Sequence, residues 1–396
     1  MSPPLRVGFT FIPRRLHAGG FNYLRNLFVA LHRYRPGELE AVVFAGLSDD
    51  DNDLATFARI PGVEVVKRRA FERDHSGLTS ALVAGIDHAA AAAFDEARVD
   101  VVFEHARFFG WRLPFPVVAW FPDLQHRSLP HLFSKAAWWR REIGFRAQLA
   151  SGRSIILSSE SALNDCKRYY ARARNQMSVV KFASRPTDDL LAADPGEIIR
   201  FYELPGQYFY LPNQFWRHKN HQLVLDALTI LAGRGIKPVV AVSGGPDEPP
   251  AYFDSIMQEV EKRGLQENFR YLGMIPLAHV YALLRSCRAL INPSRFEGWS
   301  TTVEEAKSFE VPMIISNLDV HLEQTNGAES YFDVDDAEAL AAHLAEAAAK
   351  TGPLLPKELG PSVEGRVTRF AADFTDAIKR AAARRPRQSG QMPADQ

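Results

Sequence analysis

The chain has 396 residues, of which 46% are hydrophobic and 24% charged, as expected for a globular protein with more than one hydrophobic core. Lysine plus arginine equals aspartate plus glutamate at 47 each, which excludes a general electrostatic attraction to nucleic acid. The two cysteines, Cys166 and Cys287, exclude a disulfide framework and a cysteine-based zinc site.

The first residues lack the basic start and the apolar stretch of a secretory signal. No apolar run approaches the roughly eighteen residues that a membrane-spanning helix needs. We therefore expect a cytoplasmic protein, and peripheral contact with the inner face of the membrane stays open.

Short β-rich segments alternate with helical patterns along the chain, which predicts parallel sheets in α/β layers. The strands predicted in the first half are 5–11, 41–44, 99–103, 117–120 and 155–158. The strands predicted in the second half are 208–211, 238–243, 269–272, 289–292 and 313–316. The main predicted helices are 21–32, 79–97, 221–234, 251–262, 277–285, 302–309, 337–349 and 363–383.

A polar, acidic stretch interrupted by Pro186, Pro195 and Pro205 divides this pattern near its middle. Because each half alternates strands and helices, we predict two Rossmann-like domains. Ligands of such sheets bind at the carboxyl ends of the strands, so a substrate is expected between the two halves. The predicted parts are an N-terminal domain 1–184, a C-terminal domain 185–362, a returning helix 363–383 and a disordered tail 384–396.

The strongest local signal is NPSRFEGWSTTVEEA, residues 292–306. A predicted strand ends at Asn292, a loop containing Gly298 follows, and a helix is predicted to start within 300–302. The N–H groups of a helix start bind anions, and a glycine lets a ligand approach the backbone closely. The segment therefore predicts an anion site.

Carboxylates surround this predicted helix start. Two overlapping capping boxes are expected, Thr301 with Glu304 and Thr302 with Glu305. Glu297 in the loop and Glu305 on the helix are expected to face one pocket, where two carboxylates suit the hydroxyls of a sugar and of a ribose. The alternative is a capped helix with two exposed glutamates.

The second signal is LPNQFWRHKNH, residues 211–221, which also joins a strand to a helix. Asn220 is expected at the N-cap. Lys219 and Arg217 supply the positive charge that a diphosphate leaving group needs. The alternative is a solvated basic turn.

Taken together in chain order, 211–221 before 292–306, the two segments resemble the motifs of family 4 retaining glycosyltransferases. The closest resemblance is to bacterial O-antigen and polysaccharide mannosyl- or hexosyltransferases. The resemblance implies the GT-B fold, in which two Rossmann-like domains face across a cleft and the C-terminal helix returns to the N-terminal domain. It implies transfer of a hexosyl unit, mannosyl as the candidate, from a nucleotide-diphosphate sugar such as GDP-mannose. The implied acceptor is a glycan or lipid-linked glycan of the bacterial surface, and no metal, separate cofactor or nucleic acid is implied.

Carried over by position, Lys219 is implied to bind the diphosphate, Glu297 the donor sugar and Glu305 the ribose. Met274 follows a predicted strand where family members hold the nucleobase through the backbone. The implied donor-binding residues are Gly19, Gly20, Arg217, Lys219, Met274, Glu297, Gly298, Trp299, Ser300, Thr301 and Glu305.

In the first half, Gly19 and Gly20 join the first strand to the first helix and match the glycine loop of the family. His126, after the strand predicted over 117–120, matches an active-site histidine. The implied catalytic residues are His126, Lys219 and Glu297. Without the resemblance, a Gly-Gly turn is common and a lone histidine is more often structural.

One departure concerns Gln214, which stands where many family members have an arginine. It keeps open a non-catalytic scaffold that binds the donor, and a GT-B enzyme similar to nucleotide-sugar epimerases is the other alternative. The pairs Asp333/Asp335 and Asp51/Asp53 are predicted to lie in solvated turns rather than to bind metal. The basic, aromatic segment 135–146 is either core with a solvated face or a membrane contact.

Overall fold

The computed structural model describes residues 3–15, 18–72, 77–105, 107–246, 250–327, 329–350, 352 and 361–384. The chain forms two compact units. The N-terminal unit contains Met1–His126, Phe133–Phe182 and the chain from Val367 onward, and the C-terminal unit contains Arg127–Leu132 and Ala183–Arg366. The division into an N-terminal domain 1–184 and a C-terminal domain 185–362, each with its own function, stays a prediction.

The N-terminal unit is built on a seven-stranded parallel sheet in the order β3-β2-β1-β4-β5-β6-β7. Its strands are β1 Leu5–Thr10, β2 Leu39–Ala45, β3 Val63–Lys67, β4 Val101–Glu104, β5 Val117–Phe121, β6 Ser154–Leu157 and β7 Met177–Val179. The helices along this part of the chain are α1 Ala18–Tyr34, α2 Asp51–Ala58, α3 Gly77–Val83, α4 His88–Glu96, α5 Gln125–Ser128, α6 Lys135–Ala150 and α7 Glu160–Tyr169. The central strands β4 and β5 are apolar and buried at almost every position, because helices cover both faces of a parallel sheet.

The C-terminal unit is a six-stranded parallel sheet in the order β10-β9-β8-β11-β12-β13. Its strands are β8 Phe209–Leu211, β9 Val240–Val242, β10 Phe269–Tyr271, β11 Leu290–Asn292, β12 Met313–Ser316 and β13 Ser330–Phe332. Its helices are α8 Asp188–Leu191, α9 Pro195–Phe201, α10 His221–Gly233, α11 Ala251–Lys262, α12 Leu277–Ser286, α13 Thr301–Ser308, α14 Asp319–Thr325 and α15 Ala337–Ala349. Leu223, Val224, Leu228 and Leu231 of α10 are buried, which gives this helix a central place in the hydrophobic core.

The last helix, α16 Val363–Ala382, packs on the N-terminal unit through a stripe of buried apolar side chains. The ring of Phe374 lies 6.1 Å from that of Phe9, and the ring of Phe370 lies 5.7 Å from that of Tyr23. The predicted return of this helix to the N-terminal domain is confirmed. The tail predicted over 384–396 lies, beyond its first residue, outside the described residues.

Several predicted elements need correction. The helix predicted over 79–97 is two helices, α3 and α4, because Gly85 between them adopts a φ of +80°. Gly110 packs against that turn so closely that a Cβ on it would lie 2.2 Å from the carbonyl oxygen of Gly85. Strands β3, β7 and β13 are absent from the prediction. Each lies at the edge of its sheet, where continuous apolar runs are not required.

Candidate functional site

The topology of the C-terminal unit places two loops side by side. Strand β8 lies between β9 and β11, so the strand order reverses beside β8. Chain segments that leave neighbouring strands at such a switch point diverge and form a crevice at the carboxyl ends of the strands. The two loops are 212–220 after β8 and 293–300 after β11, which are the two segments that the sequence analysis singled out.

Asn220 ends the loop after β8 and begins α10. It adopts the left-handed conformation, with φ +57°, which asparagine tolerates better than most residues. It occupies the predicted N-cap position, but its side chain does not cap the helix. Instead its amide nitrogen lies 3.1 Å from the carbonyl oxygen of Pro293 and 2.8 Å from that of Val334, so it holds three loops together.

Lys219 and Glu297 meet between the two loops. The Nζ atom of Lys219 lies 2.6 Å from Oε1 of Glu297, and the two side chains are 13% and 9% exposed. The hydroxyl of Ser294 lies 2.7 Å from the same carboxylate oxygen. Burial alone would raise the pKa of Glu297, but the positive charge of Lys219 outweighs it and lowers that pKa to about 2. Glu297 is therefore ionised at neutral pH.

Asn292 organises the loop that carries Glu297. Its side chain is fully buried, and its amide nitrogen lies 2.8 Å from the hydroxyl of Ser300 and 3.2 Å from that of Thr302. Its Oδ1 atom accepts a hydrogen bond from the backbone N–H of Ser294 at 3.2 Å. A buried, fully bonded side chain of this kind fixes a loop in one conformation.

The start of α13 differs from the predicted capping boxes. Ser300 is the N-cap, and its hydroxyl accepts a hydrogen bond from the N–H of Val303 at 3.4 Å. Glu304 does not reach back to a threonine N–H group. It is fully buried and binds Arg366 at 2.7 Å, so this carboxylate has a structural partner that the spacing did not predict.

Gln324 of α14 also fixes this helix start. Its Oε1 atom accepts a hydrogen bond from the N–H of Ser300, and its Nε2 atom donates to the carbonyl oxygen of Ser300, both at 3.0 Å. Part of the predicted anion site is therefore already occupied within the protein. Within the described ranges, no side chain accepts a hydrogen bond from the N–H groups of Thr301 and Thr302.

Glu305 lies one turn into α13 and is partly buried. The hydroxyl of Tyr281 on α12 lies 3.5 Å from its Oε1 atom. Burial raises the pKa of Glu305 to about 7, and the neighbouring Glu304 carboxylate adds to the rise. Glu297 and Glu305 therefore have different environments, since Glu297 has a lysine beside it and Glu305 has a tyrosine hydroxyl.

His321 and Ser316 lie beside the pair and were missed by the sequence analysis. The Nδ1 atom of His321 lies 2.8 Å from the carbonyl oxygen of Ser316, and the Ser316 hydroxyl donates to the carbonyl oxygen of Ser294 at 2.6 Å. Burial lowers the pKa of His321, although the charge of Glu297 acts in the opposite direction. No local sequence signal indicates these residues, because β12 and α14 bring them to the site only through the fold.

Loops after β9 and β10 lie beside the same strand ends. Gly244 adopts a φ of +144°, and a Cβ on it would lie 2.3 Å from the carbonyl oxygen of Asn213, so only glycine fits there. Met274 is 67% exposed, and its Cε atom would lie 2.8 Å from a Cβ on Gly245. Met274 thus lies over the loop after β9.

The remaining predicted donor residues of this unit lie on the same two loops. Gly298 and Trp299 are partly buried, and Thr301 is exposed at the helix start. Arg217 is exposed, with its guanidinium 5.9 Å from the centre of the Tyr252 ring. The structure therefore brings Lys219 and Glu297 together, whereas Arg217 lies beside the Tyr252 ring.

The predicted residues of the N-terminal unit have other surroundings. Gly19 and Gly20 lie in the first turn of α1, which starts three residues earlier than the predicted helix. His126 is fully buried, and its Nε2 atom lies 3.1 Å from Oε2 of Glu142. Burial lowers the pKa of His126, and the Glu142 carboxylate opposes that shift. In this conformation the imidazole belongs to the core of its unit, and its catalytic role stays a prediction.

The aspartate pairs have ordinary ionic partners. Asp335 binds Arg295, and Asp51 lies 2.8 Å from Lys67. Among the described residues, no three histidine, cysteine, aspartate or glutamate side chains cluster as metal ligands. In that same part of the chain, no helix has the length and apolar character needed to cross a bilayer.

Comparison with known families supports the motif resemblance. Residues 203–359, within the C-terminal unit, match the family described as glycosyl transferases group 1. The O-antigen chain mannosyltransferase B of Escherichia coli is 24% identical over 232 residues. That match covers 57% of this chain and 60% of the relative, so the chain spans less than two thirds of the length of that curated protein.

Solved structures resemble nearly the whole chain. A glycosyltransferase from Rickettsia africae has a TM-score of 0.67 at 14% identity, covering 96% of this chain and 97% of its own. Anabaena HepE in complex with UDP and glucose has a TM-score of 0.61 at 15% identity, covering 94% and 95%. WaaG, a glycosyltransferase involved in lipopolysaccharide biosynthesis, has a TM-score of 0.61 at 13% identity, covering 95% and 98%.

The fold is thus that of the GT-B glycosyltransferases, built from two Rossmann-like domains, and the predicted fold class is confirmed. The resemblance to glycosyltransferases of the O-antigen type, inferred from the two motifs, is confirmed as well.

Proposed function

We propose that the protein is a retaining glycosyltransferase that takes its sugar from a nucleotide-diphosphate donor. The observation that carries the proposal is the Lys219–Glu297 ion pair, at the switch point of the sheet and inside the segment that matches group 1 glycosyl transferases. A cation and a carboxylate at the carboxyl ends of adjacent strands suit a ligand with a charged diphosphate and a hydroxyl-rich sugar.

Lys219 has the central chemical role in this proposal. Negative charge builds on the diphosphate as the bond to the sugar breaks, and a fixed cation stabilises that charge. The N-terminus of α13 adds the positive end of its helix dipole and the N–H groups of Thr301 and Thr302. Asn292 and Gln324 hold the loop and the helix start that present these N–H groups, so this part of the backbone needs little reorganisation during the reaction.

Two carboxylates orient the donor. Glu297 accepts hydrogen bonds from hydroxyls of the transferred sugar, and Glu305 accepts them from the ribose. No carboxylate nucleophile is required if the acceptor hydroxyl attacks from the face on which the diphosphate leaves, and this route retains the configuration of the sugar. His126 is buried in its unit, so Lys219 and Glu297 are the residues to test first.

The transferred sugar is proposed to be a hexose, with mannose from GDP-mannose as the specific candidate, and the acceptor a hydroxyl of a glycan or lipid-linked glycan. The support is the likeness to a relative described as an O-antigen chain mannosyltransferase. The proposed setting is the synthesis of a bacterial surface polysaccharide, without a metal or a separate cofactor.

Calorimetric titration with GDP-, UDP- and dTDP-sugars tests donor binding directly. One nucleotide sugar of the panel should bind at micromolar concentrations, and its affinity should fall in the Glu305→Gln variant. Absence of binding across the panel would contradict the proposal. Conversion of the nucleotide sugar without any acceptor would instead favour an epimerase, and binding without turnover would favour a scaffold.

A further inference from the structure

Lys219 and Glu297 neutralise each other in the structure. Their charged atoms are 2.6 Å apart, and both side chains are nearly buried. Little water is therefore available to replace either partner when the pair separates. A ligand that binds one of these two side chains must also supply a hydrogen-bond or ionic partner for the other.

The proposed donor requires the two side chains to bind different groups. Lys219 must turn to the diphosphate, and Glu297 must turn to the sugar hydroxyls. A ligand that engages Lys219 alone leaves a carboxylate beside an anion. In the structure, the charge of Lys219 outweighs the effect of burial and lowers the pKa of Glu297 to about 2. Once Lys219 turns away, the buried carboxylate either keeps its charge beside the anion or takes up a proton, and both cost binding free energy.

Ser294 is the group that remains with Glu297 if Lys219 leaves. Its hydroxyl lies 2.7 Å from Oε1 of Glu297, but it lies at the same distance from Oδ1 of Asn292. One hydroxyl proton cannot satisfy both acceptors at once. Ser294 is therefore a weak substitute for the cation.

On the basis of the function proposed above, we propose that the Lys219–Glu297 pair makes the protein discriminate between the nucleotide sugar and the nucleoside diphosphate that remains after transfer. The nucleotide sugar offers hydroxyls to Glu297 at the same time as it offers phosphate oxygens to Lys219. The nucleoside diphosphate has lost those hydroxyls, and its terminal phosphate carries an additional negative charge. Glu297 therefore repels the product and binds Lys219 again, which favours product release.

The test measures the ratio of two affinities by calorimetry without acceptor, GDP against GDP-mannose and UDP against UDP-glucose. Glu297→Gln removes both the repulsion and the competitor for Lys219. We expect it to tighten nucleoside diphosphate binding about tenfold, which is ~1.4 kcal/mol, and to leave or weaken nucleotide-sugar binding. The preference for the nucleotide sugar should therefore fall at least tenfold.

Two further variants serve as controls. Asp335→Asn removes one exposed carboxylate of the same unit, which pairs with Arg295 rather than Lys219, and should leave the ratio unchanged. In a Lys219→Met background, Glu297→Gln should tighten nucleoside diphosphate binding less, because the competition is already gone. This double variant also avoids an unpaired buried charge, so it covers the case in which Glu297→Gln alone fails to fold.

The outcomes are distinct. If Glu297→Gln changes both affinities by one factor, or weakens the nucleoside diphosphate, the discrimination proposal is wrong even though the protein binds donors. If the wild-type protein binds neither nucleotide sugar, the proposed function fails and this proposal fails with it. A ratio that falls only when Glu297 is neutralised supports the proposal.

Discussion

At the scale of single residues, the site depends on two carboxylates in opposite environments. Glu297 has a lysine at 2.6 Å, and Glu305 has a tyrosine hydroxyl at 3.5 Å. The lysine lowers the pKa of Glu297 to about 2, whereas burial raises the pKa of Glu305 to about 7. The sequence predicted both carboxylates, but their charge states depend on neighbours that only the fold supplies.

Lys219→Ala should reduce transfer by about a hundredfold or more, because loss of a cation at the leaving group raises the barrier by roughly 2–4 kcal/mol. It should also destabilise the protein by roughly 1–3 kcal/mol, because the buried carboxylate of Glu297 loses its cationic partner. Steady-state kinetics and urea denaturation measure the two effects. Glu297→Gln in the same chain should restore stability without activity, while Lys262→Ala, at an exposed lysine, should change neither.

Glu305→Gln should mainly raise the KM for the donor, because a ribose contact is the same in the ground state and the transition state. Glu297→Gln should mainly lower kcat, because its sugar contacts lie nearer the reacting carbon. Initial rates over a range of donor concentrations separate the two parameters. The opposite pattern would mean that the sugar and ribose positions are reversed.

The pKa of Glu305 predicts a pH-dependent stability effect that does not depend on function. In the folded protein this pKa is about 7, above the model-peptide value near 4.5, so the folded state holds the proton more tightly. Stability from this group is complete below about pH 4.5 and is lost as the pH rises through 7. Glu305→Gln should therefore raise Tm at pH 8 and leave it nearly unchanged at pH 4.5. An equal shift at both pH values would contradict the assignment.

At the scale of elements, the start of α13 shows what a local pattern can and cannot predict. The strand end at Asn292 and a cap near Ser300 follow from a β-rich run and from the preference of serine for N-caps. The partners Gln324 and Arg366 lie 24 residues beyond Ser300 and 62 residues beyond Glu304. Helix capping rules relate only residues within about one turn of each other. They therefore could not predict these tertiary contacts, which replace the predicted capping boxes.

Helix α6 presents an exposed face that combines apolar and basic side chains. Trp139 is 57% and Ile143 54% exposed, and Lys135, Arg140 and Arg146 are exposed on the same helix. Exposed apolar and cationic side chains on one helix suit an anionic lipid surface, and on this basis we propose peripheral membrane contact here. Flotation with phosphatidylglycerol vesicles should recover the protein, and Trp139→Ser/Ile143→Ser should reduce recovery severalfold. Equal recovery with purely zwitterionic vesicles, or no effect of the double substitution, would refute the contact.

At the scale of the whole molecule, alternating strands and helices predicted two Rossmann-like domains, and the motif resemblance predicted the GT-B arrangement. Central strands such as β4 and β5 are predictable because burial on both faces requires continuous apolar runs. Edge strands β3, β7 and β13 are harder to predict, because polar positions are tolerated at an edge. The sequence also did not predict the burial of His126, because its partner Glu142 lies on a different helix.

Transfer should continue after EDTA treatment, because the proposed charge stabilisation comes from Lys219 and backbone N–H groups. An enzyme that holds Mg²⁺ or Mn²⁺ between two aspartates loses activity on chelation. Initial rates should be compared in buffer containing EDTA and in buffer containing MgCl₂ or MnCl₂. Loss of activity with EDTA that either metal restores would contradict the metal-independent mechanism.

The most direct test of the central proposal follows the reaction by NMR with GDP-mannose, UDP-glucose and a lipid-linked oligosaccharide acceptor. We predict that one nucleotide sugar is consumed only when acceptor is present, and that nucleoside diphosphate and glycoside form in equal amounts. The new glycosidic bond should have the same anomeric configuration as the donor. Inverted configuration would contradict retention, and no consumption of either nucleotide sugar would contradict the assignment of the Lys219–Glu297 site to sugar transfer.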